Sequence, residues 1–117
     1  MKKVFYLKTC DTCKRIIKTL LLPSEFVFQE IKEEAISSKQ LEELRELSGS
    51  YEALFSRRAK LYKAMGLKDA VLSEADYKDY ILQHYTFIKR PIVVVEEQIF
   101  IGNSKNTVEA ASKAIHE

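Results

Sequence analysis

Apolar positions along the chain fall into two rhythms. Lys3–Leu7 is a short, nearly unbroken apolar run rich in β-formers, the pattern of a strand buried on both faces. After a polar turn, Ile16, Ile17, Leu20 and Leu21 recur at helical spacing, and Pro23 ends the helix they predict. Phe26–Ile31 predicts a second strand, which completes a β-α-β unit. The middle is helical in period. Ser37 and Gln40 form a candidate capping box ahead of Leu41, Leu44 and Leu47, with a stop near Gly49. A second piece carries Leu61, Tyr62 and Met65, with Gly66 as its C-cap. A third begins near Ser73 and sets Tyr77, Tyr80, Ile81 and His84 on one face. Ile92–Val95 and Ile99–Ile101 then read as strands joined by Glu96-Glu97-Gln98, and a closing helix carries Val108, Ala111 and Ile115. The predicted order is β-α-β, helices, then β-β-α.

With 117 residues the length suits one domain, 1–117, with a helical insertion at about 37–84 and no linker or internal repeat. Apolar residues make up 46% of the chain, enough for a core without disulfide staples. A net charge of +2 gives no basic stripe, so direct nucleic-acid binding is not expected. Lys2 and Lys3 are followed by only four apolar residues, Val4 to Leu7, whereas a secretory segment needs about 7–15. No run approaches the roughly 20 residues of a membrane span. The expected location is cytoplasmic, with no membrane partner. The charges of Lys32–Glu34 and Glu42–Glu46 read as a solvated helix face. The tyrosines read as packing at the core edge, and His84 as a structural histidine.

The chemistry lies in Cys10 and Cys13. Their C-x-x-C spacing falls between the first strand and the first helix. Residues i and i+3 of a helix start share a face, which allows a disulfide. A thiol at a helix N-terminus meets free N–H groups and the positive end of the macrodipole, which favour its thiolate. Lys8, Lys14 and Arg15 add positive charge, and Asp11 opposes them. Zinc would need two more ligands, and His84 and His116 are too few and too scattered, so no metal site is expected.

Three stretches resemble the ArsC/Spx/YffB group of proteins: Thr9-Cys10-Asp11-Thr12-Cys13-Lys14, Ala53–Arg58 through Tyr62 to Met65-Gly66-Leu67, and Leu82–Arg90 with Pro91-Ile92-Val93-Val94. The resemblance implies an α/β, thioredoxin-like (glutaredoxin-like) fold with the helical insertion between its halves. It implies Cys10 as nucleophile, Cys13 as a resolving thiol, and Arg90 before a cis-Pro91. The implied anion site is Arg90 and Arg58, with Arg57, Thr12, Lys14 and Pro91 around them. A cis bond is expected at Arg90–Pro91 although it occurs in only about 5–6% of X–Pro bonds.

Two functions follow from the resemblance. One is a thiol-dependent reductase of the arsenate reductase-like kind, acting on an oxyanion or a glutathione-linked substrate. It would hold no bound cofactor and use glutathione or glutaredoxin as reductant. The other is an Spx-like redox-sensing regulator that binds the RNA polymerase alpha subunit. The sequence departs from the arsenate reductases: no histidine or proline stands just before Cys10, Ser56 takes the place of one anion-binding arginine, and Gly102 that of another. Slow or absent arsenate turnover is therefore expected, with better activity on glutathione-linked disulfides.

Overall fold

A computed structural model describes residues 1–117. The chain divides into two compact units, residues 1–35 with 90–117, and residues 36–89.

The first unit holds strands β1 (Lys2–Tyr6), β2 (Val27–Glu30), β3 (Ile92–Val95) and β4 (Gln98–Ile101), with helices α1 (Asp11–Leu20) and α5 (Lys105–His116). The sheet order is β2-β1-β3-β4. β1 and β2 are parallel, so the chain needs a crossover between them, and α1 supplies it. β3 runs antiparallel to both β1 and β4. Val4, Val93 and Val95 point to the face where Ile16 and Leu20 of α1 and Ala111 of α5 complete a buried core. The alternate residues Phe5, Ile92 and Val94 are also buried, which explains the unbroken apolar runs.

Two details of this unit differ from the sequence pattern. Leu21 does not extend the apolar face of α1. It adopts a left-handed conformation at φ 50 as the C-cap and stands 74% exposed, which turns the chain toward Pro23. The β3–β4 connection has two residues rather than three, because Gln98 pairs with Val95. Glu96 takes φ 55 in that turn. Its N–H donates to the Met1 carbonyl at 2.8 Å, and its carboxylate meets the terminal amine at 3.1 Å.

The second unit holds α2 (Ser38–Ser48), α3 (Lys60–Ala64) and α4 (Glu74–Gln83), with short 3-10 turns at Glu52–Leu54, Leu67–Asp69 and Tyr85–Phe87. Ser37 and Gln40 form the expected capping box, and Gly49 closes α2 at φ 93. Ser73 and Asp76 form a second box at α4. Phe55 stacks on Phe87 with centroids 5.4 Å apart, and Tyr62, Tyr77 and Tyr80 pack around the pair. These tyrosines thus pack with the aromatic core, as the pattern indicated. His84 is not on the α4 face. It follows the helix, and its Nδ1 accepts the Thr86 N–H at 3.2 Å, capping the last 3-10 turn. No helix is long and apolar enough to cross a membrane.

Candidate active site

β1 ends at Tyr6, and the segment Leu7-Lys8-Thr9-Cys10 turns the chain into α1. The Cys10 N–H donates to the Leu7 carbonyl at 3.0 Å, which closes the turn. Cys10 is the N-cap of α1, with extended backbone, and its carbonyl accepts the Lys14 N–H at 3.1 Å. The sulfur occupies the place of a capping oxygen, without making a full side-chain cap. Cys13 lies in the first helical turn and is buried, while Cys10 is half-buried. Both are free thiols.

Position sets the two thiols apart. Burial pushes the Cys10 thiol up. The Cys13 N–H, the Cys13 thiol, the Arg90 charge and the Thr12 N–H outweigh it and bring the thiol below its ordinary value. Cys13 moves the other way. Burial pushes it up to about 11, and the neighbouring Cys10 sulfur adds to the rise, while the Leu7 N–H and Arg90 oppose it. One sulfur is therefore prepared to ionise and the other to stay protonated beside it.

Strand register brings the proline to the same end of the sheet. Ile92 opens β3 opposite Phe5, so the preceding Arg90–Pro91 pair lies beside the end of β1 from which the cysteine turn leaves. The Arg90–Pro91 bond is cis, as the resemblance implied. Pro91 is buried, and its carbonyl accepts the Gly102 N–H at 2.9 Å. Arg90 is half-buried, with its Nε inside the protein, and its charge acts on both sulfurs. Cys10, Cys13, Thr12, Arg90 and Pro91 thus assemble within the first unit. Lys14 follows on the exposed surface of α1.

Arg57 and Arg58 belong to the second unit. Arg57 donates to Glu52 at 2.8 Å and to the Tyr77 hydroxyl at 3.0 Å, so its guanidinium is held in a network there. Arg58 is exposed, and its backbone N–H donates to Ser56 Oγ at 3.3 Å. Lys8 is also engaged, through an ion pair with Glu33 at 2.8 Å, which tempers the positive charge it brings to the turn.

One residue near the site escaped the sequence pattern. Glu30, at the end of β2, is only 8% exposed. Its carboxylate accepts the Lys8 N–H at 2.7 Å, the Lys32 N–H at 2.6 Å and the Glu33 N–H at 3.0 Å. Residues 31–33 accordingly form a turn around that carboxylate, so Lys32–Glu34 are solvated as the pattern indicated but do not lie on a helix. The only signal in the sequence is a lone carboxylate closing an apolar strand. The three donors hold Glu30 below the usual carboxylate range despite its burial, which acts in the opposite direction.

A four-stranded mixed sheet, a crossover helix that opens on a cysteine pair and a cis-proline at the facing strand define a thioredoxin-like α/β fold. The ArsC family model matches residues 5–111, and the chain belongs to the ArsC family. Among solved structures, a protein of Bacteroides fragilis related to the ArsC family superposes with a TM-score of 0.78 at 21% identity, over 94% of this chain and 96% of that one. The arsenate reductase from Vibrio cholerae gives 0.72 at 24% identity, over 97% and 98%. An arsenate reductase (ArsC) related protein from Brucella melitensis gives 0.68 at 18%, over 93% and 92%. At these identities the likeness speaks to the fold. No curated protein matches the chain.

Proposed function

We propose that this chain is a cytoplasmic thiol-dependent reductase of the arsenate reductase-like kind, with Cys10 as nucleophile and Cys13 as resolving thiol. The observation that carries the proposal is the placement of the two sulfurs: Cys10 is half-buried at the helix start, which favours its thiolate, and Cys13 is buried in the first turn, which opposes ionisation. A low-pKa attacking thiol with a neighbouring second thiol suits two-step sulfur chemistry.

On a glutathione mixed disulfide, the Cys10 thiolate attacks the glutathione sulfur. The old S–S bond breaks, and the substrate leaves as a thiolate that takes up a proton. Cys13, on losing its proton, attacks the Cys10 sulfur, which forms the Cys10–Cys13 disulfide and releases glutathione. External glutathione or glutaredoxin supplies the two electrons that restore both thiols. On arsenate, Cys10 forms an S–As bond as an oxygen leaves as water. A second thiol then attacks the Cys10 sulfur, and the S–As electron pair passes to arsenic, giving arsenite and a disulfide. Arg90, with the N–H groups at the start of α1, is proposed to hold the oxyanion or a glutathione carboxylate. Thr12, Lys14 and Pro91 are its proposed surroundings within the first unit. Arg57 is left out of that set because Glu52 and Tyr77 already engage it.

The test is turnover by the purified chain with glutathione and glutaredoxin, on arsenate in one arm and a glutathione mixed disulfide in the other. The expected result is turnover of the mixed disulfide and slow or no reduction of arsenate. Efficient arsenate reduction would overturn the substrate preference while keeping the reductase. No turnover of either substrate, together with retention of the RNA polymerase alpha subunit by the chain, would favour the redox-regulator role instead.

A further inference from the structure

We infer that Glu30 is a positioning residue for the cysteine pair, its carboxylate anchoring the turn that delivers Cys10 to the start of α1. The inference rests on the proposed role of Cys10 as the reactive thiol. The parallel β1–β2 pairing ends at Tyr6 opposite Glu30, and the Ile31 N–H makes one further bond to the Tyr6 carbonyl at 3.0 Å. Beyond that point no strand is available to hold the chain. The Glu30 side chain takes over, accepting the Lys8 N–H at 2.7 Å.

Lys8 is the second residue of the Leu7–Cys10 turn, and its neighbour Leu7 touches both cysteines through the backbone. The Leu7 carbonyl accepts the Cys10 N–H at 3.0 Å, and the Leu7 N–H favours ionisation of the Cys13 sulfur. The anchored peptide is therefore one residue from the groups that place both sulfurs. The Glu30 carboxylate is fixed in turn by the Lys32 and Glu33 N–H groups. A carboxylate only 8% exposed that accepts three N–H groups is a firmly held attachment point.

A rival account makes Glu30 a local loop residue that only closes the turn at 31–34, whose Glu34 N–H also donates to the Glu30 carbonyl at 2.8 Å. Glu30→Asp separates the two. A shorter carboxylate still serves N–H groups two and three residues ahead, as aspartate commonly does in turns. It loses the reach to Lys8. Glu30→Gln keeps the length and removes the charge, leaving one acceptor oxygen for three donors.

The experiment is alkylation of Cys10 against pH, read by mass mapping, in the full chain and both variants. Thiolate formation at Cys10 depends on how its sulfur meets the Thr12 and Cys13 N–H groups and Arg90. With the turn released, the Cys10 titration should move up, and alkylation at pH 7 should slow roughly three- to tenfold. The limiting rate at high pH should be preserved, which a simple loss of access would not allow. Glu30→Asp should show this shift while keeping most of the thermal stability, and Glu30→Gln should show it with a lower melting temperature. Wild-type titration of Cys10 in both folded variants would overturn the inference.

Should the variants fail to fold, hydrogen exchange on the unsubstituted protein decides. The Lys8 amide lies outside the strand ladder, so only its Glu30 bond can protect it, and protection of about a hundredfold or more is expected. Free exchange at Lys8 would overturn the inference. An ordinary titration of Cys10 in the unsubstituted chain would instead remove the proposed nucleophile, a separate failure.

Discussion

Replacing Cys10 with serine should abolish reduction of a glutathione mixed disulfide, whereas replacing Cys13 should leave the first half of the reaction intact. In the proposed mechanism the Cys10 sulfur is the atom that attacks, and a serine hydroxyl in its place remains protonated and a poor nucleophile toward sulfur. Losing a nucleophile from such a site costs turnover at least about three orders of magnitude. In Cys13→Ser the attack still occurs, but the resolving thiol is gone, so the Cys10–glutathione adduct should accumulate. Intact-mass measurement after one equivalent of mixed disulfide checks both variants. Glutathione retained on Cys10→Ser, or a freely turning over Cys10→Ser, would contradict the assignment.

The second large effect concerns Arg90. Its positive charge favours the ionised form of both sulfurs, although burial outweighs it at Cys13, and its place before the cis-proline puts it at the same end of the sheet as Cys10. A charge-assisted hydrogen bond to a bound anion contributes about 1.5–3 kcal/mol. With each 1.36 kcal/mol being about tenfold, Arg90→Ala should lower kcat/KM roughly ten- to a hundredfold. Part of that loss should appear as slower Cys10 alkylation at pH 7 without any substrate, since the thiolate loses a positive neighbour. Arg90→Lys should restore the alkylation rate better than the turnover, because lysine supplies the charge but not the planar fork. Steady-state kinetics and alkylation on the three proteins measure this. Unchanged values for Arg90→Ala in both assays would remove Arg90 from the site.

Much of the candidate site's placement was legible because it is local. A cysteine at a strand-to-helix turn implies its own electrostatics, and the next cysteine three residues on implies a shared face. The cis-proline was legible only through the family resemblance, since no local rule distinguishes Pro91 from a trans proline. Where the reading missed, the cause was a contact distant in sequence or a turn without its usual residues. Leu21 suits a helix face, and only the need to reverse direction before Pro23 explains its left-handed backbone. The Glu96-Glu97 turn lacks the glycine or asparagine that marks a two-residue hairpin, so the sequence pattern gives it one residue too many. His84 continued an apolar spacing, yet its Nδ1 serves the Thr86 N–H beyond the helix end. Arg57 looked available beside Arg58, but its partner Tyr77 lies 20 residues on. Glu30 gave almost no signal because its partners are backbone N–H groups, which every residue carries.

The central claim is that Cys10 ionises well before Cys13, and alkylation against pH with each site mapped separately tests it most directly. A lowered thiol is ionised above its folded-state titration, so Cys10 labelling should reach half its limiting rate at a lower pH than the same cysteine in the unfolded chain. A raised thiol stays protonated longer, so Cys13 labelling should remain slow until pH approaches about 11. Equal labelling of the two cysteines, or half-maximal labelling of Cys10 at a pH no lower than in the unfolded chain, would contradict the account.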